Sequence, residues 1–400
     1  MDNSEIKKKL SSINWNFDFT IDYAKDTLHP FNCRKYYSYP ATFIPEIPYA
    51  LIEILSQKGD VVLDPFGGIG TTFIQALSLE RVPYSFDINP VASNVCKTLY
   101  KLLDPSINKE ELREQLIILC SDFDKSYDYT TTLSEHRKEL ADWFENNTFN
   151  EISYLFMKRD NLRDQLTKDV MTLILSSILV TLSSQNKGWA YIADNVKPKP
   201  DELRKKQVFE QYIGSTNILL NDIISHESHL SKTYANFYSM ISPQSRVFNN
   251  SILNTSLHPQ SVDLVVTSPP YPRMIDYVKS QRLSFAFLDN NYIDYMGKEI
   301  GARYRRSRRD FLEKYEMEID LVNKKTVELL KTNAYCCVVL PDFKTDDSRK
   351  QSIDRILKNY NSLGLNKVFE ICRYIPSHKR TLSIQWATLI NERMYVFQKG

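Results

Sequence analysis

An α/β fold, with an open and mainly parallel sheet interrupted by an all-helical insertion, is predicted by three features of the sequence. Short apolar runs at 61–63, 84–86 and 262–266 are bounded by turn residues and read as buried strands. Helical periodicity at 49–56, 73–79 and 91–103 alternates with the first two of these runs, which is the pattern of a parallel sheet. From 104 to 245, by contrast, apolar residues recur only at helical spacing, which predicts helices at 110–123, 134–144, 164–184 and 201–224. The sheet is therefore expected in two halves, 1–103 and 246–400, on either side of the insertion.

The first half contains a glycine loop. Val61-Val62-Leu63-Asp64 runs directly into Pro65-Phe66-Gly67-Gly68-Ile69-Gly70-Thr71-Thr72 and then a helix. Three of the chain's ten glycines sit here, where a ligand can approach backbone with no Cβ in the way. The spacing departs from the dinucleotide fingerprint, and an acid precedes the glycines. Such a loop favours a ligand with a charged amino-acid end over a pyrophosphate. The next strand ends in Asp87, which in this topology lies where ribose hydroxyls bind. Asp87-Ile88-Asn89-Pro90 equally reads as a plain strand end and helix start.

The second half opens on Val262-Asp263-Leu264-Val265-Val266, which stops at Thr267-Ser268-Pro269-Pro270-Tyr271. The prolines fix φ and lack donors, so the Ser268 and Pro269 carbonyls are expected to stay free at the carboxyl edge of the sheet. Open α/β sheets bind ligands at that edge. With the Ser268 hydroxyl, these carbonyls can accept hydrogen bonds from an amino group, and Tyr271 offers a flat face to a planar ring. A proline-terminated strand with an aromatic turn is the plainer alternative.

Taken together, Asp64 to Thr72 and Thr267 to Tyr271 resemble the paired motifs of the S-adenosylmethionine-dependent DNA amino-methyltransferases, which modify cytosine N4 or adenine N6. Tyr39-Pro40-Ala41-Thr42-Phe43-Ile44-Pro45 resembles that family's N-terminal cofactor-contacting segment. Arg373-Tyr374-Ile375-Pro376 and Ile390 to Phe397 resemble its closing strands. The similarity covers roughly 28–103 and 247–399 and leaves the middle unmatched. It departs from the family at Asn249-Asn250-Ser251, where an acid usually stands near the adenine of the cofactor; asparagine can still donate and accept there.

The resemblance implies a Rossmann-like methyltransferase sheet split by an inserted helical lobe, with S-adenosylmethionine as cofactor. It implies cofactor contacts from Phe43, Asp64, Pro65, Phe66, Gly67, Gly68, Gly70, Thr71, Thr72, Asp87 and Asn250. The catalytic turn would be Ser268, Pro269, Pro270 and Tyr271, with a flipped base stacked on the tyrosine. Serine in place of an acid favours cytosine N4, with adenine N6 as the alternative and an RNA base as a more distant one. Double-stranded DNA and a cognate restriction endonuclease are the implied partners. No metal is required, and no cysteine lies beside the turn, which argues against carbon-5 methylation.

The remaining composition sets bounds. Four hundred residues, 42% apolar and 25% charged, suit a globular chain of two lobes. A net charge of +2 means that any nucleic-acid affinity must come from clustered charge. The densest cluster is Arg303-Tyr304-Arg305-Arg306-Ser307-Arg308-Arg309, with Arg273 nearer the turn; it suits a DNA backbone or a solvated basic face. In the insertion, Trp189, Tyr191, Lys197 and Lys199 offer stacking and phosphate contact. The insertion and the basic segment are thus competing candidates for reading the target sequence.

Six cysteines without metal-ligand or disulfide spacing suggest a reducing compartment, and Cys336-Cys337 reads as core. Met1 to Leu10 is charged, unlike a signal peptide, and the apolar helix at 170–182 is too short to span a bilayer. A soluble, cytoplasmic protein with no membrane partner is expected. Beyond the turn, helices are expected at 315–330 and 352–363, and strands at 334–340, around Phe369 and within 384–397.

Overall fold

Seven strands form one sheet, and their order places the two motifs side by side. The strands are β1 (Val61–Asp64), β2 (Val82–Phe86), β3 (Val247–Phe248), β4 (Val262–Thr267), β5 (Leu330–Phe343), β6 (Leu365–Tyr374) and β7 (Leu389–Lys399), in the spatial order β3-β2-β1-β4-β5-β7-β6. The first five in that order are parallel, and β7 runs antiparallel to both of its neighbours. This is a Rossmann-like open sheet. The computed structural model describes residues 2–16, 30–185, 197–343, 346–374 and 389–400.

Chain direction across the sheet reverses between β1 and β4, where Val62 pairs with Leu264 and Leu63 with Val265. A crevice opens outside the strand ends at such a switch point. The strands read as near-continuous apolar runs because both faces are covered. On one face, α1 (Asn3–Ser11) and α2 (Glu46–Leu55) set Leu10, Ile47 and Leu51 against Val62, Leu264, Val266 and Cys337. On the other, α13 (Phe311–Leu329) and α14 (Asp347–Ser362) set Tyr315, Ile319, Ile353 and Tyr360 against Leu63, Val265, Cys336 and Val338. Cys336 and Cys337 are both core, one on each face, as the alternation of a strand requires.

The helices α3 (Thr71–Ser78) and α4 (Pro90–Leu102) follow β1 and β2. The described part of the insertion is helical: α5 (Lys109–Ile118), α6 (Glu135–Lys138), α7 (Asn146–Asp160), α8 (Gln165–Leu182), α9 (Val208–Glu227) and α10 (Tyr234–Ile241), with short 3-10 turns between them. It has no core of its own. Phe73, Ile74, Val95 and Leu99 of α3 and α4 join Leu173, Ile174 and Leu220 of α8 and α9, and Phe285 and Phe287 of α11 (Arg282–Phe287), in one hydrophobic cluster. The helices therefore extend the first half instead of standing apart from it.

Several boundaries differ from the sequence reading. α7 had no predicted counterpart, because its first turn, Asn146-Asn147-Thr148, is made of poor helix formers and relies on the Glu145 carboxylate as cap. The helix expected from 201 begins at Val208, after a separate turn at Pro200–Glu202. α8 extends beyond the apolar stretch at 170–182 on its N-terminal side: its 18 residues are long and apolar enough to cross a membrane by composition, with 61% of them buried within the protein. Its apolar side is accounted for by the shared core. The predicted strand start at 384, Ile375-Pro376, Trp189 and Tyr191 lie outside the described residues.

Candidate active site

The glycine loop is built by its own hydrogen bonds. Gly67 N–H donates to the Phe86 carbonyl at 2.9 Å and Gly70 N–H to the Gly67 carbonyl at 2.8 Å, which folds the chain tightly off β1 into α3. Phe66 N–H donates to Asp64 Oδ1 at 3.0 Å, and Gly68 N–H to Asp87 Oδ2 at 2.9 Å. Both acids thus face backbone donors. The glycines themselves have an internal reason that the ligand argument did not anticipate. A Cβ on Gly67 would lie 1.8 Å from Ser85 Oγ, and one on Gly70, at φ +91°, would lie 2.3 Å from Cys96 Sγ. Gly68 differs, at φ +51°, with Tyr39 Cε1 as its nearest neighbour at 3.6 Å.

A cleft of about 460 Å³ opens above this loop. Phe43, Asp64, Pro65, Phe66, Gly67, Gly68, Thr71, Asp87 and Asn250 all line it, as do Ser268 and Pro270 of the turn. Gly70 and Thr72 are not in its wall; Gly70 packs on Cys96, and Thr72 is buried in the first turn of α3. Asn250 Oδ1 accepts from Ser251 N–H and from Asn254 Nδ2, so its side chain is held at the cleft rim.

The two motifs touch directly. Thr267 Oγ1 donates to Asp64 Oδ1 at 2.6 Å across the switch point. Burial pushes the Asp64 carboxyl up to about 6, opposed by the Thr267 hydroxyl and the Phe66 N–H. Asp87 is likewise pushed up to about 6 by burial, opposed by the N–H groups of Asn89 and Gly68. Burial outweighs the fixed partners that favour the charged form, so both acids titrate above the usual carboxylate range.

The Ser268–Tyr271 turn differs from expectation in one respect. Ser268 is half-buried and faces the cleft, but Tyr271 is only 9% exposed and is absent from the cleft wall, and Pro269 is buried. The Tyr271 phenol donates to Glu392 Oε1 at 3.1 Å. The ring in the wall beside Ser268 is instead Tyr277, which stacks on Tyr39 at 5.6 Å and 25°. The Pro270 carbonyl is also not free, since it accepts from the Tyr315 hydroxyl at 3.1 Å.

The basic segment divides. Arg306, Arg308 and Arg309 are exposed and make no ion pair among the described residues; Arg303 is half-buried. Arg305 corrects the reading: it is 8% exposed and turned inward, donating to the carbonyls of Met296, Gly297 and Glu299, so it cannot face a phosphate. Arg273 lies over the Phe311 ring at 5.2 Å. Lys197 is paired with Asp142, and Lys199 is exposed.

Sequence reasoning missed part of the wall. Tyr277, Lys298, Glu299 and Ile300 close the cleft on the side of α13. Glu299 is buried, accepts from Val278 N–H at 3.1 Å through Oε1, and its Oε2 has no partner. Burial, with Asp276 nearby, pushes its carboxyl up to about 8, so it carries a proton at neutral pH. No spacing or neighbouring motif marks that residue in the sequence.

Comparison with known proteins finds DNA methylases. A DNA methylase family profile of the N6/N4 class matches residues 2–98. The Type II methyltransferase M.MvaI of Kocuria varians is 24% identical over 303 residues, 71% of this chain and 63% of that protein. M.BsoBI of Geobacillus stearothermophilus is 26% identical over 271 residues, 62% of this chain and 51% of its own. M.MjaII of Methanocaldococcus jannaschii is 21% identical over 405 residues, 82% and 76% of the two chains. The chain thus spans half to two thirds of the length of the first two of these relatives. By its glycine-loop half and by these relatives, the chain is similar to the N4/N6 amino-methyltransferases among the DNA methylases.

Proposed function

We propose that the chain transfers a methyl group from S-adenosylmethionine to an exocyclic amino group of a DNA base, with cytosine N4 the favoured target. The observation that carries this reading is that Ser268 and the glycine loop line one cleft, locked together by the hydrogen bond from Thr267 to Asp64. S-adenosylmethionine would supply a methyl group that is already strongly electrophilic. The residues present fit it. Asp87 stands at the end of β2 to accept ribose hydroxyls, Asp64 adds negative charge to the wall near a cationic ligand, and Phe43, Phe66 and Asn250 complete the lining.

Because the donor is reactive and the amino nitrogen is a poor nucleophile, positioning is the main task. Alignment of the nitrogen with the methyl carbon supplies up to about 7–11 kcal/mol of the barrier. The Ser268 hydroxyl accepts one amino hydrogen, which draws the nitrogen toward tetrahedral geometry and withdraws charge as it develops. The base must leave the duplex to reach this depth, at a cost of roughly a few kcal/mol. Tyr277 is the cleft-wall ring that can meet it.

Mass spectrometry of nucleosides from duplex DNA incubated with protein and cofactor tests the reading. N4-methylcytosine is the expected product. N6-methyladenine alone would reject the base assignment, and methyl incorporation confined to RNA would reject the DNA reading. A host DNA-marking role beside a cognate restriction endonuclease accords with the Type II names of the relatives.

The pH dependence of cofactor binding has a definite sign. Both cleft acids are raised to about 6, and each carries its negative charge, and its full acceptor capacity, only when ionised. Cofactor affinity is therefore expected to be full above that pH and to fall as pH drops through it, by up to about tenfold per unit for each acid. Titrations from pH 7.5 to 5 should show this loss, and Asp87→Asn should weaken binding at pH 7.5 and flatten the curve. Affinity that is constant across the range would discount both acids.

For DNA, the exposed arginines Arg306, Arg308 and Arg309 are assigned to the backbone, and the helical insertion at 104–245 to reading the target. Alanine at each of the three should reduce the slope of log affinity against log salt by about 0.9. Alanine at Arg305 should leave the slope unchanged and lower the thermal midpoint, because it removes a buried staple of three carbonyls. Equal slope changes at all four positions would contradict the division.

A further inference from the structure

The double proline that defines the turn leaves it with a mechanical problem. Pro269 and Pro270 have no N–H, and the β4–β5 ladder ends where Thr267 pairs with Val338. Past that point, the turn residues have few backbone donors to hold the chain to the sheet. Met274 N–H reaches the Tyr271 carbonyl at 3.4 Å, and Arg273 N–H reaches the Gly301 carbonyl at 3.0 Å. Proline sets the shape of the turn but does not fix its position.

The fixing groups come from elsewhere. Tyr315, on α13 and 1% exposed, donates its hydroxyl to the Pro270 carbonyl at 3.1 Å. From the opposite direction, Glu392 on β7 accepts the Tyr271 phenol at 3.1 Å, and its other oxygen lies 3.5 Å from Nη1 of the fully buried Arg373 on β6. Tyr271 follows Ser268 by three residues in the same turn, so a phenol fixed by Glu392 also fixes the backbone that carries Ser268. A chain of contacts thus runs from Arg373 through Glu392 to Tyr271, at the end of the turn that begins with Ser268. Burial and the facing Glu392 push the Tyr271 phenol far up, so it remains a donor at every working pH.

We propose that Tyr315 and Glu392 are positioning residues for methyl transfer: one pins the turn at its Pro270 carbonyl and the other at its Tyr271 phenol, and together they set where the Ser268 hydroxyl stands. The proposal rests on the amino-methyl-transfer reading above. Neither residue lines the cleft, so neither touches cofactor or base. Their effect passes through Ser268, and a displacement of about 1 Å at a reacting group can slow a reaction on the order of a hundredfold. They sit on separate elements, a helix on one face and a strand within the sheet, so each can be removed without the other.

Three variants of the full chain, Tyr315→Phe, Glu392→Ala and Glu392→Gln, test this in parallel with wild type. Single-turnover methyl transfer to unmethylated genomic DNA, cofactor dissociation constant and thermal midpoint are measured for each. Tyr315→Phe, which removes one hydroxyl and keeps the ring packing, should slow transfer about tenfold with cofactor affinity unchanged. Glu392→Ala should slow it by about tenfold to a hundredfold, and Glu392→Gln, whose amide oxygen can still accept the phenol, should recover most of the rate. Variants that transfer as fast as wild type overturn the proposal. So does a rate loss matched by an equal loss of cofactor affinity, or a glutamine variant no better than alanine, since either marks a merely structural role. A wild-type chain that methylates no DNA rejects the functional reading and this inference with it.

Discussion

Alanine at Ser268 is expected to lower methyl transfer by about a hundredfold to a thousandfold while leaving cofactor affinity within about twofold of wild type. Ser268 brings a side-chain hydroxyl of the turn into the cleft. The neighbouring Thr267 hydroxyl is committed to Asp64 at 2.6 Å, and the Tyr271 phenol to Glu392 at 3.1 Å. Neither can move to replace it without giving up its hydrogen bond to a carboxylate, which costs about 1–3 kcal/mol. Cofactor binding depends on the glycine loop and the two acids, all of which the substitution leaves in place. Ser268→Thr retains a hydroxyl on the same backbone and should keep measurable activity. Unchanged turnover in the alanine variant would remove Ser268 from the mechanism and the turn from the active site.

The parts of this site that were legible in the sequence are those in which chemistry and backbone geometry coincide. A strand that ends in an acid and three glycines, and another that ends in serine and two prolines, are local patterns, and their meeting follows from the topology of an open sheet. Side-chain direction is not local in this sense. Arg305 and Arg306 are neighbours with the same side chain, yet one is buried against three carbonyls and the other is exposed. Tyr277, which no motif marks, takes the place in the cleft expected for Tyr271, since Tyr271 is anchored by a strand more than a hundred residues later and Tyr277 reaches the cleft. Glu299 was invisible because its raised pKa comes from burial, which no pattern in the neighbouring sequence signals. The helical insertion was legible as helices, but its merging with α3 and α4 into one core was not. Amphipathic spacing shows that a face is buried without showing against what.

The largest effect on folding is expected from Gly67→Ala. The loop glycines look equivalent in sequence, and ligand access would predict similar consequences for each. Their surroundings differ. A Cβ on Gly67 would stand 1.8 Å from Ser85 Oγ and 3.0 Å from Ser85 Cβ, and Ser85 is itself 1% exposed on β2. The loop cannot retreat, because Gly67 N–H is bonded to the Phe86 carbonyl at 2.9 Å and Gly67 carbonyl to Gly70 N–H at 2.8 Å. Relief therefore requires moving β2 or breaking the loop, and the expected destabilisation is about 3 kcal/mol, combining overpacking with a lost hydrogen bond. Gly68→Ala is the internal control: its Cβ would meet only Tyr39 at 3.6 Å, so the left-handed backbone alone is strained, by about 1–2 kcal/mol. Thermal or denaturant unfolding of both variants should separate them clearly. Adding Ser85→Gly to Gly67→Ala should restore much of the loss, because the remaining contact, Ser85 Cα at 3.6 Å, is an ordinary one. Equal stabilities for the two single variants, or a double variant no better than Gly67→Ala, would mean that the first glycine is kept for the ligand and not for the strand behind it.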